Sequence, residues 1–191
     1  MHILESYALV SGQKISSCFI HEEKIQLPYR KYITLHTEHN KGTSRKYKNW
    51  KSVVELLINN KNFDYEIVQI GEYDDKINDS INSKYVGKTN YNSLAFLIKN
   101  SSLHLGYDSL PVHIASHFNK KIVAIYPYSI KHSGPFFSRE KDVITLEPEY
   151  EINPHNSKRI KPIYSDICEM MNTINPQDIY KAVLKLLNID E

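Results

Sequence analysis

The feature that most constrains the fold is an alternation of short β-type runs and helical patterns, which begins at Lys31 and continues almost to the end of the chain. Strands are predicted at residues 32–36, 65–71, 84–87, 102–108, 121–127 and 142–148. Helices are predicted between them at residues 50–58, 93–99 and 111–118, and a last one at 176–187. Strands separated by one helix each favour a parallel sheet covered by helices on both faces. We therefore predict an α/β fold with a Rossmann-like, doubly wound parallel sheet.

Capping residues and apolar spacing indicate where individual helices and strands lie. Asn92 or Ser93 is a predicted cap for the helix at 93–99, and Asn175 followed by Pro176 is a strong helix start. The run 121–127 (KIVAIYP) hardly alternates, which predicts a strand in the interior of the sheet. The helix that begins at Trp50 has five apolar residues at helical spacing on one predicted face: Trp50, Val53, Val54, Leu57 and Ile58.

The chain of 191 residues is long enough for one domain with a substantial core. We assign residues 31–191 to this domain. Residues 1–30 are predicted to form a helix at 3–11 and an irregular linker that ends near Pro28. This segment is too short for a core of its own and is expected to dock on something larger.

Composition excludes several classes of protein. The net charge of +2 does not call for nucleic acid or an acidic membrane as a partner. Cys18 and Cys168 are the two cysteines and lack metal-ligand spacing, so we expect no metal site and no disulfide framework. With neither an apolar membrane span nor a signal-peptide pattern, the expected location is the cytoplasm, either free or peripheral at the inner face of the membrane. The patterns G-x-S-x-G, H-E-x-x-H, C-x-x-C and Walker A are missing.

Candidate ligand-binding residues were sought just after each strand, because ligands of open parallel sheets bind beyond the carboxyl ends of the strands. The segment 36–50 combines hydroxyl and basic side chains before a helix, which suits a diphosphate but is also typical of a solvated basic loop. Glu72 follows a strand, where a carboxylate can accept hydrogen bonds from a ribose diol, although a plain surface glutamate fits as well.

Two further segments carry polar chemistry. In the segment 106–115, Asp108 and Ser109 end a strand, and His113 lies one turn into the next helix, within reach of a phosphate. Taken alone, His113 is more typical of a core or surface histidine without a binding role, and the whole segment is what favours a functional one. The segment 126–137 contains Lys131 and His132 and is expected to be either the edge of a cleft or a plain connection.

The stretch from Ser93 to Ala124 resembles the ADP-heptose:lipopolysaccharide heptosyltransferases of glycosyltransferase family 9. The family pattern D-[ST]-G-x-x-H-x-A corresponds here to D-S-L-P-V-H-I-A, residues 108–115. The resemblance extends from about Tyr32 to Leu187. It implies one half of a GT-B fold, the C-terminal half that binds a nucleotide sugar as substrate, with an ADP-sugar favoured and no cofactor. The implied reaction is inverting glycosyl transfer to a glycan or lipopolysaccharide-type acceptor.

The same resemblance implies roles for individual residues. Thr43, Ser44 and Lys48 correspond to diphosphate contacts, Glu72 to the ribose contact, and Asn92 to a contact on the adenine side. The remaining implied donor-binding residues form the motif after the strand at 102–108: Asp108, Ser109 and His113.

Two departures from the family pattern bear on function. Leu110 replaces the glycine of the motif, where a backbone would approach the ligand closely. The half that carries the acceptor site and the proposed general base in the family has no counterpart here, so no catalytic residue is assigned. Three functions follow: a glycosyltransferase whose acceptor half lies in another chain (a partner subunit or a second copy) or was cut off or lost, a non-catalytic nucleotide-sugar-binding module, or another enzyme on the same scaffold. The first predicts an exposed apolar patch that involves residues 1–30.

Overall fold

The computed structural model describes residues 1–16, 19–28, 30–37, 46–73, 75, 78–81, 83–127, 130, 132–148 and 170–190. Within them, six strands form one sheet in which every neighbouring pair is parallel, in the order β3-β2-β1-β4-β5-β6. The strands are β1 Tyr32–His36, β2 Glu66–Ile70, β3 Ser83–Lys84, β4 Leu103–Tyr107, β5 Lys121–Ile125 and β6 Val143–Leu146. This is the Rossmann strand order, and the predicted doubly wound α/β fold is confirmed. The order reverses between β1 and β4, which makes their carboxyl ends the switch point of the sheet.

Helices cover both faces of the sheet because alternate strand residues point to opposite sides. The helices are α1 Ile3–Ser11, α2 Trp50–Asn59, α3 Tyr91–Asn100, α4 Leu110–His117 and α5 Pro176–Leu187. Buried residues of α2 and α5 share one core cluster with Ile33, Leu35 and Leu105. Buried residues of α3 and α4 share the other cluster with Val68 and Ala124.

The sequence patterns predicted these layers, with one correction to the apolar face of α2 and one to the cap of α3. Four of the five predicted apolar residues of α2 are buried, but Ile58 is 52% exposed. It lies beside Leu57 at the edge of the helix face, about 100° further round the axis. The cap of α3 is Asn90 rather than Asn92 or Ser93, because the Asn90 side chain accepts from the N–H groups of both of those residues and the helix begins at Tyr91. The predicted start of α5 at Asn175 and Pro176 is confirmed.

Both described parts of the N-terminal segment, residues 1–16 and 19–28, make contacts with the domain. The N–H of Ile3 donates to the carbonyl of His132 at 2.9 Å, and the His2 ring lies 4.8 Å from that of Phe136. None of the residues of α1 is buried, and its apolar side chains include the exposed Tyr7 and Val10. Further along, three apolar residues pack partly buried against the α3–α4 cluster: Ile20, Ile25 and Leu27.

Across the residues that the structure describes, none of the helices combines the length and the apolar character that a bilayer span requires.

Candidate functional site

A cavity of about 640 Å³ opens at the carboxyl ends of β1, β2 and β4, at the switch point. This volume is in the range typical of small-molecule sites. The floor beneath the cavity consists of the paired strands β1 and β4, and His36 at the end of β1 lines the cavity. The rest of the described lining comprises Ile70 of β2, Leu94 of α3 and two walls, which we name by their residues. The α4 wall is formed by Asp108, Ser109, Leu110 and Pro111, and the loop wall by Gly71, Glu72, Tyr73, Asp75, Gly87, Thr89, Asn90 and Tyr91.

In the α4 wall, the strand-to-helix turn presents polar groups to the cavity. Ser109 occupies the N-cap position of α4, yet its side chain makes no capping bond. Its hydroxyl lies 3.0 Å from His36 Nδ1 and 3.2 Å from the carbonyl of Tyr107 instead. Because the hydroxyl is engaged elsewhere, it does not cover the positive end of the α4 dipole, where anions are stabilised.

Asp108 connects this wall to neighbouring elements. One carboxylate oxygen lies 3.7 Å from His113 Nε2, and the other accepts a bond of 3.4 Å from the hydroxyl of Ser133. Burial, together with the Asp108 carboxylate, raises the pKa of Tyr126 well above that of an ordinary phenol. The contact with Asp108 holds His113 in the first half of α4, where its side chain is 44% exposed.

The loop wall begins with a tight turn after β2. The N–H of Glu72 donates to Asp75 Oδ2 at 2.6 Å. Gly71 has a φ of +156°, and a Cβ atom there would lie 2.2 Å from the same carboxylate oxygen, so the turn requires glycine. Gly87, with a φ of +67°, packs against the backbone of Tyr73 in the same way, since its Cβ would lie 2.8 Å from Tyr73 Cα.

Two exposed tyrosines complete the loop wall. Tyr73 is 87% and Tyr91 73% exposed, although both line the cavity. Tyr91 is the first residue of α3, and its position is fixed by Asn90, whose side chain caps α3 and donates to Glu23 at 2.7 Å. Exposed aromatic faces beside a carboxylate suit the base and sugar of a nucleoside.

Beneath the cleft, the floor contains a second histidine. His104 on β4 is fully buried, and its Nδ1 lies 3.0 Å from the Thr34 hydroxyl. Its Nε2 has no partner among the described residues and lies 3.2 Å from where a Cβ of Gly106 would be. Burial, and then the nearby imidazole of His36, lowers the pKa of His104 to about 3. His104 is therefore neutral at physiological pH and belongs to the core.

The structure brings together some of the predicted site residues but not all of them. Glu72 lies on the loop wall, Asp108 and Ser109 lie on the α4 wall, and His113 contacts Asp108. The described lining does not include Lys48, which is exposed and whose N–H donates to Asn172 Oδ1 at 2.7 Å.

Asn92 is also outside the described lining, because it lies within the first turn of α3. Its carbonyl accepts a bond of 3.2 Å from the N–H of Glu23. The residues of this turn that do line the cavity are Asn90 and Tyr91. Thr43 and Ser44 lie outside the described residues.

Sequence reasoning missed several residues of the cavity. His36 was recognised only as the start of a basic segment, although it is the last residue of β1 and therefore lies at the switch point. Tyr73 and Tyr91 depend on how loops fold back, and no local pattern marks them. The described residues contain no group of three or more histidine, cysteine or acidic side chains placed to hold a metal ion.

The sequence profile of glycosyltransferase family 9 (heptosyltransferase) matches residues 21–163. Among solved structures, the ADP-heptose lipopolysaccharide heptosyltransferase II of E. coli has a TM-score of 0.62 at 17% identity, covering 96% of this chain and 51% of that one. A family 9 glycosyltransferase of Veillonella parvula has a TM-score of 0.61 at 17% identity, covering 83% of this chain and 46% of its own. The dodecameric iron-containing heptosyltransferase TibC, from enterotoxigenic E. coli, has a TM-score of 0.62 at 16% identity, with coverages of 88% and 47%.

This chain thus spans about half the length of the solved structures that it matches. At these identities the likeness shows the shared fold. No curated protein matches the chain in sequence.

Proposed function

Since this chain belongs to glycosyltransferase family 9, the heptosyltransferase family, we propose that its cleft binds the nucleoside diphosphate part of a nucleotide sugar. The observation that carries the proposal is the pairing of two unlike walls at the switch point. The loop wall offers an exposed carboxylate and two aromatic faces, and the α4 wall offers a helix N-terminus with a serine and a histidine. A nucleoside diphosphate has complementary chemistry at its two ends.

On the loop wall, the Glu72 carboxylate would accept hydrogen bonds from the ribose hydroxyls, as acidic residues at this position do in dinucleotide-binding folds. Tyr73 and Tyr91 would stack on the base. Stacking on an aromatic side chain contributes about 1–3 kcal/mol per base and tolerates every base. The specificity for adenine that the family suggests therefore has to come from contacts at the edge of the base.

On the α4 wall, the diphosphate would lie at the N-terminus of α4 beside Ser109 and His113. The resemblance adds Thr43, Ser44 and Lys48 as further diphosphate contacts. Lys48 is exposed on the segment that leads into α2. In glycosyl transfer the diphosphate is the leaving group, so donors fixed at this position stabilise the charge that develops as the sugar bond breaks.

An ADP-sugar is the favoured donor. TibC was solved in complex with ADP-D-β-D-heptose, and its fold matches that of this chain. We propose that transfer is inverting and that the acceptor is a glycan of lipopolysaccharide type. Such a reaction needs a general base to deprotonate the acceptor hydroxyl. We propose that the base and the acceptor site belong to a second half, which is another part of a longer chain, a partner subunit or another copy of this chain.

A non-catalytic nucleotide-sugar-binding module is the second candidate. The observation that favours it is that donor contacts account for the described polar lining of the cleft, and none of these residues is assigned as the general base. The two candidates share the donor site and differ in whether transfer follows.

Donor binding is tested by thermal unfolding with a panel of ADP-, GDP-, UDP- and CMP-sugars and the free nucleotides. A ligand at one hundred times its Kd stabilises the fold by about 2.7 kcal/mol. We expect ADP and ADP-sugars to raise the Tm and a Glu72→Gln variant to respond less, whereas Glu55→Gln, on the exposed side of α2, is the matched control. No shift with any nucleotide at millimolar concentration would contradict the proposal.

Transfer is tested with a radiolabelled donor and a lipopolysaccharide-core acceptor. The chain alone should give no transfer product, because positioning of the acceptor accounts for about 7–11 kcal/mol of barrier lowering in well-oriented reactions. Robust turnover by a confirmed monomer would show that this chain holds its own acceptor site. Binding without transfer in every combination of subunits would favour the second candidate.

A further inference from the structure

His36 lies on the floor of the cleft and contacts both walls. Its Nδ1 lies 3.0 Å from the hydroxyl of Ser109 on the α4 wall. Its Nε2 lies 3.7 Å from Oδ2 of Asp75 on the loop wall. The side chains of His36 and Asp75 are only 12% and 19% exposed, so solvent weakens their interaction less than it would at the surface.

The neighbours of the imidazole select its tautomer. A carboxylate facing Nε2 favours a proton on that nitrogen, which leaves Nδ1 of a neutral ring as an acceptor for the hydroxyl of Ser109. In this tautomer both ring nitrogens of His36 are engaged, Nδ1 by the Ser109 hydroxyl and Nε2 by the Asp75 carboxylate.

The contact with Asp75 extends to the residue that faces the ribose. Asp75 Oδ2, the oxygen nearest His36, also accepts the N–H of Glu72 at 2.6 Å. Gly71 directly precedes Glu72, and its missing side chain leaves room for this oxygen. A connected path therefore runs from Ser109 through His36 and Asp75 to Glu72.

We propose that His36 is a positioning residue that fixes the spacing between the two walls of the cleft. The proposal rests on the function proposed above, in which the loop wall holds the nucleoside and the α4 wall holds the diphosphate. A ligand that reaches both walls binds more tightly when their spacing is fixed. Once it is bound to one wall, it meets the other at the right distance, and the loop needs no further ordering. A ligand that occupies one wall alone gains nothing from it.

The experiment compares three probes, namely ADP, which reaches both walls, and adenosine and inorganic pyrophosphate, which each occupy one. In His36→Asn, the amide replaces Nδ1 and can still form a hydrogen bond with Ser109, but it is too short to reach Asp75. In His36→Gln, the longer amide reaches Asp75 but not Ser109. We expect each variant to lower the affinity for ADP about tenfold, because each loses one of the two contacts that join the walls, and a single polar contact of this kind contributes up to about a factor of ten. The affinities for adenosine and pyrophosphate should change less than about twofold, and His21→Gln, an exposed histidine, is the matched control.

Asp75→Asn supplies the second arm of the experiment, since it keeps an acceptor for the N–H of Glu72 and removes the charge that faces His36. If His36 and Asp75 act in one path, breaking the path at either residue has the full effect. His36→Asn, Asp75→Asn and the double variant should then each lose about tenfold in ADP affinity. A hundredfold, additive loss would overturn the proposal, as would an equal loss for pyrophosphate or adenosine alone.

A ligand-free readout separates this proposal from the proposed function. Without any nucleotide, amide exchange at Glu72 and Tyr73 should be faster in His36→Asn and in Asp75→Asn than in the original chain. If the original chain binds none of the three probes, the proposed function fails, and the exchange rates still decide whether His36 holds the loop wall. Unchanged exchange in both variants would refute the positioning role.

Discussion

The floor of the cleft and its loop wall are held in place by different means. The floor consists of the paired strands β1 and β4, where His36 lies opposite Gly106 and Thr34 opposite His104 in a continuous parallel ladder. The loop wall is held by two glycines and a few side-chain bonds, chiefly those of Asp75 and Asn90. Apart from His36, whose side chain contacts both walls, changes in the floor should therefore appear mainly as lost stability, and changes in the loop wall mainly as lost affinity.

The largest expected effect concerns pH and the floor. His104 has a folded-state pKa of about 3, well below the value of about 6.5 expected in the unfolded chain. The unfolded state therefore binds the proton more readily than the folded state. The contribution of neutral His104 to the free energy of unfolding is fully present above about pH 6.5 and is lost as the pH falls toward 3. The loss approaches about 1.4 kcal/mol per pH unit.

The measurement is the free energy of unfolding in urea at pH 7, 5.5 and 4.5. His104→Leu should remove this contribution, so the difference between the two proteins isolates it from the titration of carboxylates. Parallel pH profiles for the two proteins would show that the buried histidine does not govern acid stability.

A matched pair of glycine substitutions tests the comparison directly. A Cβ at Gly106 would lie 3.0 Å from the carbonyl oxygen of His36, within the ladder itself. Gly106→Ala should therefore lower the free energy of unfolding by about 1–3 kcal/mol, as overpacking of a core does. In Gly71→Ala the first group to move is the Asp75 carboxylate, so affinity for ADP should fall about tenfold.

Calorimetry for ADP binding and urea unfolding on the same samples check this pair. The contrast between floor and loop wall would be wrong if Gly106→Ala lowered ADP affinity without lowering the free energy of unfolding. It would also be wrong if Gly71→Ala lowered the free energy of unfolding without lowering ADP affinity.

The two regions also differ in how far the sequence predicted them. Strands and helices followed from apolar periodicity, and Asp108 and Ser109 followed from their place at a strand end. Asp75 could not be found in this way, because its role depends on a turn that closes over Gly71. The cap of α3 was misplaced because residues 90, 92 and 93 are all capping types, and only the backbone geometry distinguishes them.

On the loop wall, the two exposed tyrosines should contribute to nucleoside affinity alone. Tyr91→Leu and Tyr73→Leu should each weaken ADP binding by about 1–2 kcal/mol, the lower part of the range for stacking on a base. Pyrophosphate binding should not change, because its site lies on the α4 wall. Tyr7→Leu, which changes another exposed tyrosine on α1, is the control in the same titration. Equal losses for pyrophosphate would show that the tyrosines act through the whole cleft.

The smallest expected effect is the removal of the α3 cap, which affects stability and the loop wall together. Asn90 Oδ1 accepts from the N–H groups of Asn92 at 3.0 Å and Ser93 at 2.9 Å. Asn90→Ala should lower the free energy of unfolding by about 1 kcal/mol. Since Tyr91 follows the cap, ADP affinity should also fall, by about threefold. Asn175→Ala removes the corresponding cap of α5, which does not line the cavity, and should cost similar stability with no change in affinity. Equal affinity in the two variants would mean that fraying of α3 does not reach Tyr91, and that the loop wall is as firmly held as the floor.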